Sequence, residues 1–94
     1  MINSFRFVTT STLTAFSSST GNSNQITACS LLTNQTYYHD GSGTLPTVGD
    51  SVYSDSAGST GLVWSNYKAV VGTYSIQPSG TVVSSTGTCN NDAT

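Results

Sequence analysis

The stretch TYYHDGSGTLPTVGDSVYSDSAGS, Thr36 to Ser59, alternates short aromatic runs with turn-forming residues. It holds three aspartates, four glycines, one proline and the only histidine of the chain, His39. Those residue types build tight β-turns, and they also build metal sites, catalytic loops and sugar-binding loops. The first question is therefore whether this stretch is scaffold or a chemical site.

The aspartates and glycines of this stretch fall where short strands would end. Tyr38 leads into Asp40-Gly41, and Tyr53 leads into Asp55. Glycine tolerates positive φ, and an aspartate side chain accepts a hydrogen bond from an amide about two residues further on. We therefore interpret the segment as scaffold. The predicted turn residues, here and in the Pro78-Ser79-Gly80 corner, are Asp40, Gly41, Pro46, Gly49, Asp50, Asp55, Gly58 and Gly80.

Short runs of β-branched and aromatic residues between these turns predict an all-β domain. We expect a small immunoglobulin-like sandwich or barrel-like domain of short antiparallel strands. The apolar run Gln25 to Leu32 is ambiguous between a buried strand and a helical turn. The strands predicted after it are 36–38, 51–54, 62–64, 67–71, 73–77 and 81–84.

Composition narrows the classes of partner. Charged residues make up 6% of the 94 residues, against about 25% in ordinary soluble domains. Arg6 and Lys68 are the only strong cations, so we expect no nucleic-acid partner and no attraction to an anionic membrane. No apolar run approaches the roughly 20 residues of a membrane-spanning helix.

The first 24 residues are predicted to form an N-terminal strand segment and loop that acts as a docking or assembly arm. Apolar residues alternate there with polar ones, and the predicted docking side chains are Phe5, Phe7, Leu13 and Phe16. Residues 25–94 are predicted to form the β module, with a short mobile tail after Cys89. The segment lacks a continuous apolar signal-peptide core, and Met1 favours synthesis in a cytoplasm.

Cys29 and Cys89 are the only cysteines. A disulfide between them is favoured, and two free buried thiols are the alternative. Two thiolates and one histidine do not complete a convincing zinc site.

Chemistry-bearing residues are sparse, and we expect no enzymatic activity, cofactor or metal. His39 lacks a partner set with catalytic spacing, because Asp40 would alternate to the other strand face. Asp40, Asp50 and Asp55 offer oxygen ligands for calcium, but turn capping explains them without a metal. Trp64, Asn66 and Tyr67 form a candidate ligand patch for a glycan, although a single tryptophan is more often a core anchor.

Taken together, these motifs resemble a small β module of Bacteroidota surface proteins and of the virion proteins of their phages, crAss-like phages included. The resemblance covers about two thirds of the chain, from Cys29 to Cys89. It rests on the pattern YYHDGxG, P, GDxVYxDxxG, GxV and C. The matching residues are Tyr37, Tyr38, Asp40, Gly41, Pro46, Gly49, Asp50, Val52, Tyr53, Asp55, Gly58, Gly80, Val82 and Cys89.

The resemblance implies a virion structural protein, and in particular an auxiliary protein that decorates the capsid exterior by protein–protein binding. Its expected partners are the major capsid protein or other virion subunits, in a homo- or hetero-oligomeric assembly. The chain would be made in the bacterial host cytoplasm and displayed on the virion surface. The alternative is a carbohydrate-binding or adhesive module of a tail fibre or of a bacterial cell surface.

Overall fold

Two three-stranded antiparallel sheets and one helical turn make up the protein in a computed structural model that describes residues 13–70 and 72–89. In chain order the elements are β1 (Thr14–Ser18), α1 (Gln25–Ala28), β2 (Gln35–His39), β3 (Val52–Tyr53), β4 (Ser65–Lys68), β5 (Gly72–Ile76) and β6 (Val83–Thr88). Sheet A has the strand order β1-β2-β3, and sheet B has the order β4-β5-β6. The predicted all-β fold of short antiparallel strands is confirmed.

Strand alternation decides which side chains enter the space between the sheets. In β1, Phe16 and Ser18 are buried, whereas Ala15 and Ser17 are exposed, as the two-residue period of a strand requires. Phe16 lies opposite Tyr37 of β2, so both side chains project from the same inner face of sheet A. In sheet B, Tyr67 of β4 lies opposite Tyr74 of β5.

Aromatic rings fill the centre of the core. The rings of Tyr67 and Tyr74 are stacked, with centroids 5.2 Å apart, and the ring of Phe16 meets Tyr74 edge to face at 5.6 Å. Tyr37 meets Tyr67 edge to face at 6.1 Å. These contacts join the two sheets. The remaining buried apolar residues of the cluster are Val52, Leu62, Ala69, Ile76 and Val83.

Backbone hydrogen bonds close the sandwich at both edges. After β1 the chain crosses to sheet B, where the Ser19 amide donates to Lys68 O at 2.9 Å and Asn22 and Asn66 exchange two bonds. At the opposite edge, the Val83 amide of β6 donates to Asp50 O at 2.9 Å. The β1 edge of sheet A thus faces the β4 edge of sheet B, and the β3 edge faces β6.

The placement of β1 corrects the predicted domain boundary at residue 24. All five residues of β1 pair with β2, so this strand belongs to the module. Phe16 is only 7% exposed and lies in the core, so it is not available for docking, and the Leu13 side chain lies beside Gly58. Phe5, Phe7 and the tail after Cys89 lie outside the described residues.

Local structure resolves one open alternative and departs from the predicted strands in one region. Gln25–Ala28 forms one helical turn because the Asn24 side chain accepts hydrogen bonds from the amides of Ile26 and Thr27, at 2.8 and 3.1 Å. Residues 62–64 were predicted to be a strand and are not one. Ser65 and Asn66, which lie between two predicted strands, instead begin β4, because they pair with Ile76 and Ser75 of β5.

Cys29 and Cys89 form the expected disulfide, with their Cα atoms 5.5 Å apart. The bond ties the residue that follows α1 to the residue that follows β6. Sheet B is thereby linked covalently to the helical turn that lies against β4.

Reducing this disulfide should destabilise the protein by about 4 kcal/mol, because a cross-link over 60 residues restricts the unfolded chain by that much in the chain-entropy model. The free energy of unfolding, measured by urea titration with and without a reductant, checks the effect. The double variant Cys29→Ser/Cys89→Ser is the control and should not respond to the reductant. An unchanged unfolding midpoint on reduction of the native chain would contradict the expectation.

Candidate functional site

The three aspartates of the 36–59 stretch accept hydrogen bonds from backbone amides. Asp40 Oδ1 accepts from the Ser51 amide at 2.8 Å, and Asp50 Oδ2 accepts from the Thr47 amide at 2.8 Å. Asp55 caps the turn after β3 by accepting from the amides of Ser59 and Thr60. Each carboxylate therefore orders backbone within this stretch, and the scaffold role of these residues stays a prediction. Within residues 13–70 and 72–89, no three His, Cys, Asp or Glu side chains are grouped to hold a metal ion.

Asp55 shows what this capping does to a carboxyl group. The Ser59 hydroxyl and the Thr60 amide donate to the Asp55 carboxylate and hold the pKa of Asp55 below its ordinary value. These bonds favour the charged form because only the carboxylate accepts all of them. Asp55 is thus a turn cap whose strength depends on its ionisation.

His39 is the residue that sequence reasoning missed. The sequence analysis assigned His39 no role, yet it is fully buried, and its ring meets Phe16 edge to face at 5.5 Å. Nδ1 accepts a hydrogen bond from the Gly41 amide at 3.1 Å, so in the neutral ring Nε2 carries the proton. Nε2 is buried without a hydrogen-bond partner in the described part of the chain. The two-residue spacing from Tyr37 to His39 was the available signal, since both side chains share one face of β2.

Close approach explains one of the predicted turn glycines. A Cβ atom at Gly41 would lie 2.0 Å from Asp50 Oδ2, so a side chain at residue 41 would displace the carboxylate that accepts from the Thr47 amide. The nearest His39–Asp50 approach, from Nδ1 to Oδ2, is 3.9 Å. Three other predicted turn glycines adopt positive φ: Gly49, Gly58 and Gly80.

The predicted ligand patch is not assembled as one surface. Trp64 is 49% exposed, so the expectation that it anchors the core is wrong, and the stacked tyrosines occupy that place. Tyr67 is buried, and its hydroxyl donates to Val63 O at 3.0 Å. Asn66 accepts from the Ser75 hydroxyl and donates to Asn22 O. Only Trp64 of the three presents an accessible ring.

Burial raises the pKa values of the core tyrosines. Desolvation, together with the nearby Tyr37, raises the pKa of Tyr67 to about 12. The pKa of Tyr74 is also raised by burial, despite the bond of 2.7 Å between its hydroxyl and Ser18 Oγ. These hydroxyls stay neutral and act as core hydrogen-bonding groups.

A cleft of about 210 Å³ lies between the 45–47 loop and the inner face of sheet B. We name it the β6 cleft because Thr86 and Gly87 of β6 form one wall. Leu45, Pro46 and Thr47 form the opposite wall, and its lining also includes Ala69, Gly72, Thr73 and Tyr74. Sequence patterns gave no sign of it, since its walls come from three separate parts of the chain.

Several large apolar side chains lie on the surface of the described residues, at Ile26, Leu32, Val48, Val63, Trp64 and Val70. The single helix in the described part of the chain, α1, is far too short to cross a membrane. Comparison of the chain with protein-family models, curated proteins and solved structures gave no match.

Replacing Ser59 by Ala should raise the pKa of Asp55 towards the ordinary aspartate value of about 3.9, since the hydroxyl donor is lost. In the native chain the cap contributes stability above about pH 3.9, and that contribution is lost as the pH falls through the lower folded pKa. An NMR titration of the Asp55 carboxyl carbon measures both values. Ser56→Ala, in the same loop, is the control, and equal pKa values in native and Ser59→Ala chains would refute the cap.

Proposed function

We propose that this chain is a structural protein of a bacteriophage virion, and specifically an auxiliary protein on the capsid exterior that acts by protein–protein binding. The observation that carries the proposal is the outer edge of β6 at Ser84, Ser85 and Thr86, which receives no backbone hydrogen bond from residues 13–70 or 72–89 and carries no charged residue. Exposed sheet edges are the sites at which another chain adds a strand.

The chemistry of the surface supports binding through backbone and apolar contacts. The described carboxylates are engaged with turn amides, and apolar side chains such as Val63 and Trp64 face solvent. Exposed apolar groups are buried when a partner covers them. The resemblance of the 36–59 stretch to modules of phage virion proteins points to virion subunits, such as the major capsid protein, as the partners.

The disulfide is compatible with synthesis in a bacterial host and later display on a virion. Synthesis in a bacterial cytoplasm would leave Cys29 and Cys89 reduced, and the bond would form after release of the particle. Many copies on one particle would also convert a weak contact into strong overall attachment.

The direct test is the protein content of virions produced by the genome that encodes the chain. We expect the protein to remain with density-purified particles at many copies per particle, counted by quantitative mass spectrometry against the major capsid protein. Particles washed at high salt should retain it, because the proposed contact uses few charges. Its absence from intact, purified particles would overturn the proposal.

A carbohydrate-binding or adhesive function is the second candidate, and the exposed ring of Trp64 favours it. Aromatic faces stack on apolar faces of ligands, and amide groups add hydrogen bonds, but Asn66 and Tyr67 are engaged within the domain. If this function holds, the chain will bind a glycan array and Trp64→Ala will abolish the signal. Val63→Ala, at the adjacent exposed position, is the matched control. Lack of binding at high glycan density argues against this candidate.

A further inference from the structure

We propose that β6 and the β6 cleft accept the N-terminal segment Phe5 to Val8 of a second copy of this chain, which adds as a strand to sheet B. The inference deepens the proposed function and rests on it, since it names the partner at one contact of the assembly. Its evidence is the open edge, the adjoining cleft, the sequence of the segment and the edge from which that segment leaves.

The open edge begins just after the first residue of β6. Gly49 donates to Val83 O at 3.0 Å, and the Val83 amide donates to Asp50 O, so loop 49–50 covers that residue. Further along, no backbone bond from residues 13–70 or 72–89 reaches the outer side of Ser84, Ser85 or Thr86. These three residues are exposed and carry neither charge nor proline, the devices that usually protect sheet edges from pairing.

The cleft lies on the inner face beside this edge. Thr86 pairs with Tyr74, so its side chain projects towards the same inner face as the buried tyrosine, and both residues line the cleft. The lining includes Leu45, Pro46 and Ala69 and is largely apolar. A volume of about 210 Å³ is below the 300 Å³ at which ordinary ligand sites begin, and it suits one large side chain.

Two glycines, Gly72 and Gly87, allow β5 and β6 to approach each other closely at the β6 cleft. A Cβ atom at Gly72 would lie 2.3 Å from Gly87 O, so β5 and β6 approach too closely there for a side chain at residue 72. The wall that Gly72 and Gly87 provide is therefore backbone. An inserted ring would meet peptide groups and the buried Tyr74.

The N-terminal segment has the pattern that such an edge would recognise. In SFRFV, residues 4–8, Phe5 and Phe7 alternate with polar Ser4 and Arg6. A strand places residues two apart on the same face, about 6.6 Å from each other. When this segment pairs with β6, one phenylalanine enters the cleft and Arg6 projects to the other face. Backbone bonds supply affinity, and the pocket for an alternate side chain supplies specificity.

The donor is assigned to a second copy because of where the segment leaves the fold. Residues 1–12 precede β1, and the edge of β1 faces β4 through the bonds from Ser19 to Lys68 and between Asn22 and Asn66. β6 is the opposite edge of sheet B. A segment of the same copy would have to cross the sandwich, whereas a neighbouring copy needs no such path. Each copy then carries one donor and one acceptor, as strand-exchanging assemblies do.

Sedimentation velocity of the oxidised full chain, with no residue added before Met1, tests the proposal over a range of concentrations. The native chain should self-associate. Phe5→Ser/Phe7→Ser removes the donor rings, and Thr86→Lys places a charge at the cleft; each should weaken association by about tenfold or more, through the lost burial of an aromatic ring. Ser85→Lys adds the same charge to the opposite face of β6 and should keep most of the association.

A mixture of the two defective variants distinguishes strand exchange between copies from nonspecific association. The Thr86→Lys chain has an intact donor and the Phe5→Ser/Phe7→Ser chain has an intact acceptor, so together they should form a one-to-one complex at concentrations where each chain alone is monomeric. A native chain that stays monomeric, including one whose own segment occupies the cleft, overturns the proposal. So do equal losses with Thr86→Lys and Ser85→Lys, and so does a mixture that stays monomeric.

The outcome is independent of the virion experiment. A chain found on particles but monomeric in solution would sink this inference and leave the proposed function standing. A self-associating chain that is absent from particles would overturn the proposed function and leave this inference standing.

Discussion

The contact between Tyr67 and Tyr74 is the one on which the packing of the two sheets depends. Their stacked rings lie within sheet B, and each also meets a ring from sheet A: Tyr37 on one side and Phe16 on the other. A domain of this size buries a modest share of its surface, so a few large rings supply much of the apolar burial. The bond between Tyr74 and Ser18 gives the buried hydroxyl a partner and fixes β1 against sheet B.

The parts of the structure that follow from local chemistry could be predicted from sequence. Asp40 directly before Gly41, and Asp55 three residues before Gly58, indicated the ends of strands, and two cysteines in a small β chain indicated the disulfide. Long-range pairing could not be predicted. Nothing in the sequence near Ser65 and Asn66 specifies Ile76 and Ser75 as their partners, and without that pairing these two polar residues indicate a break between strands. Composition also cannot rank Trp64 below Tyr74 as the core anchor, because strand register decides which aromatic side chain faces inward.

The candidate sites differ in how much of their structure could be predicted from the sequence. The hydrogen bonds from backbone amides to the aspartates were partly predictable, because each partner amide lies within eleven residues of its aspartate. The β6 cleft was not predictable, since its lining combines the 45–47 loop with β5 and β6, which lie at least 25 residues further along the chain. A protein whose carboxylates are engaged in turns has little charge left for recognition. In the proposed virion role, its surfaces would therefore discriminate between partners by shape and by strand pairing.

The disulfide also determines how the protein transmits mechanical force. Sixty residues of chain, about 200 Å when fully extended, are bypassed by two Cα atoms 5.5 Å apart. Tension applied at the N-terminal side therefore cannot lengthen the region between Cys29 and Cys89 while the bond is intact. The load falls on β1, whose pairing with β2 and whose Phe16 and Ser18 contacts form the anchorage. Under tension, the region between Cys29 and Cys89 should keep its length, and β1 should be the strand that detaches first.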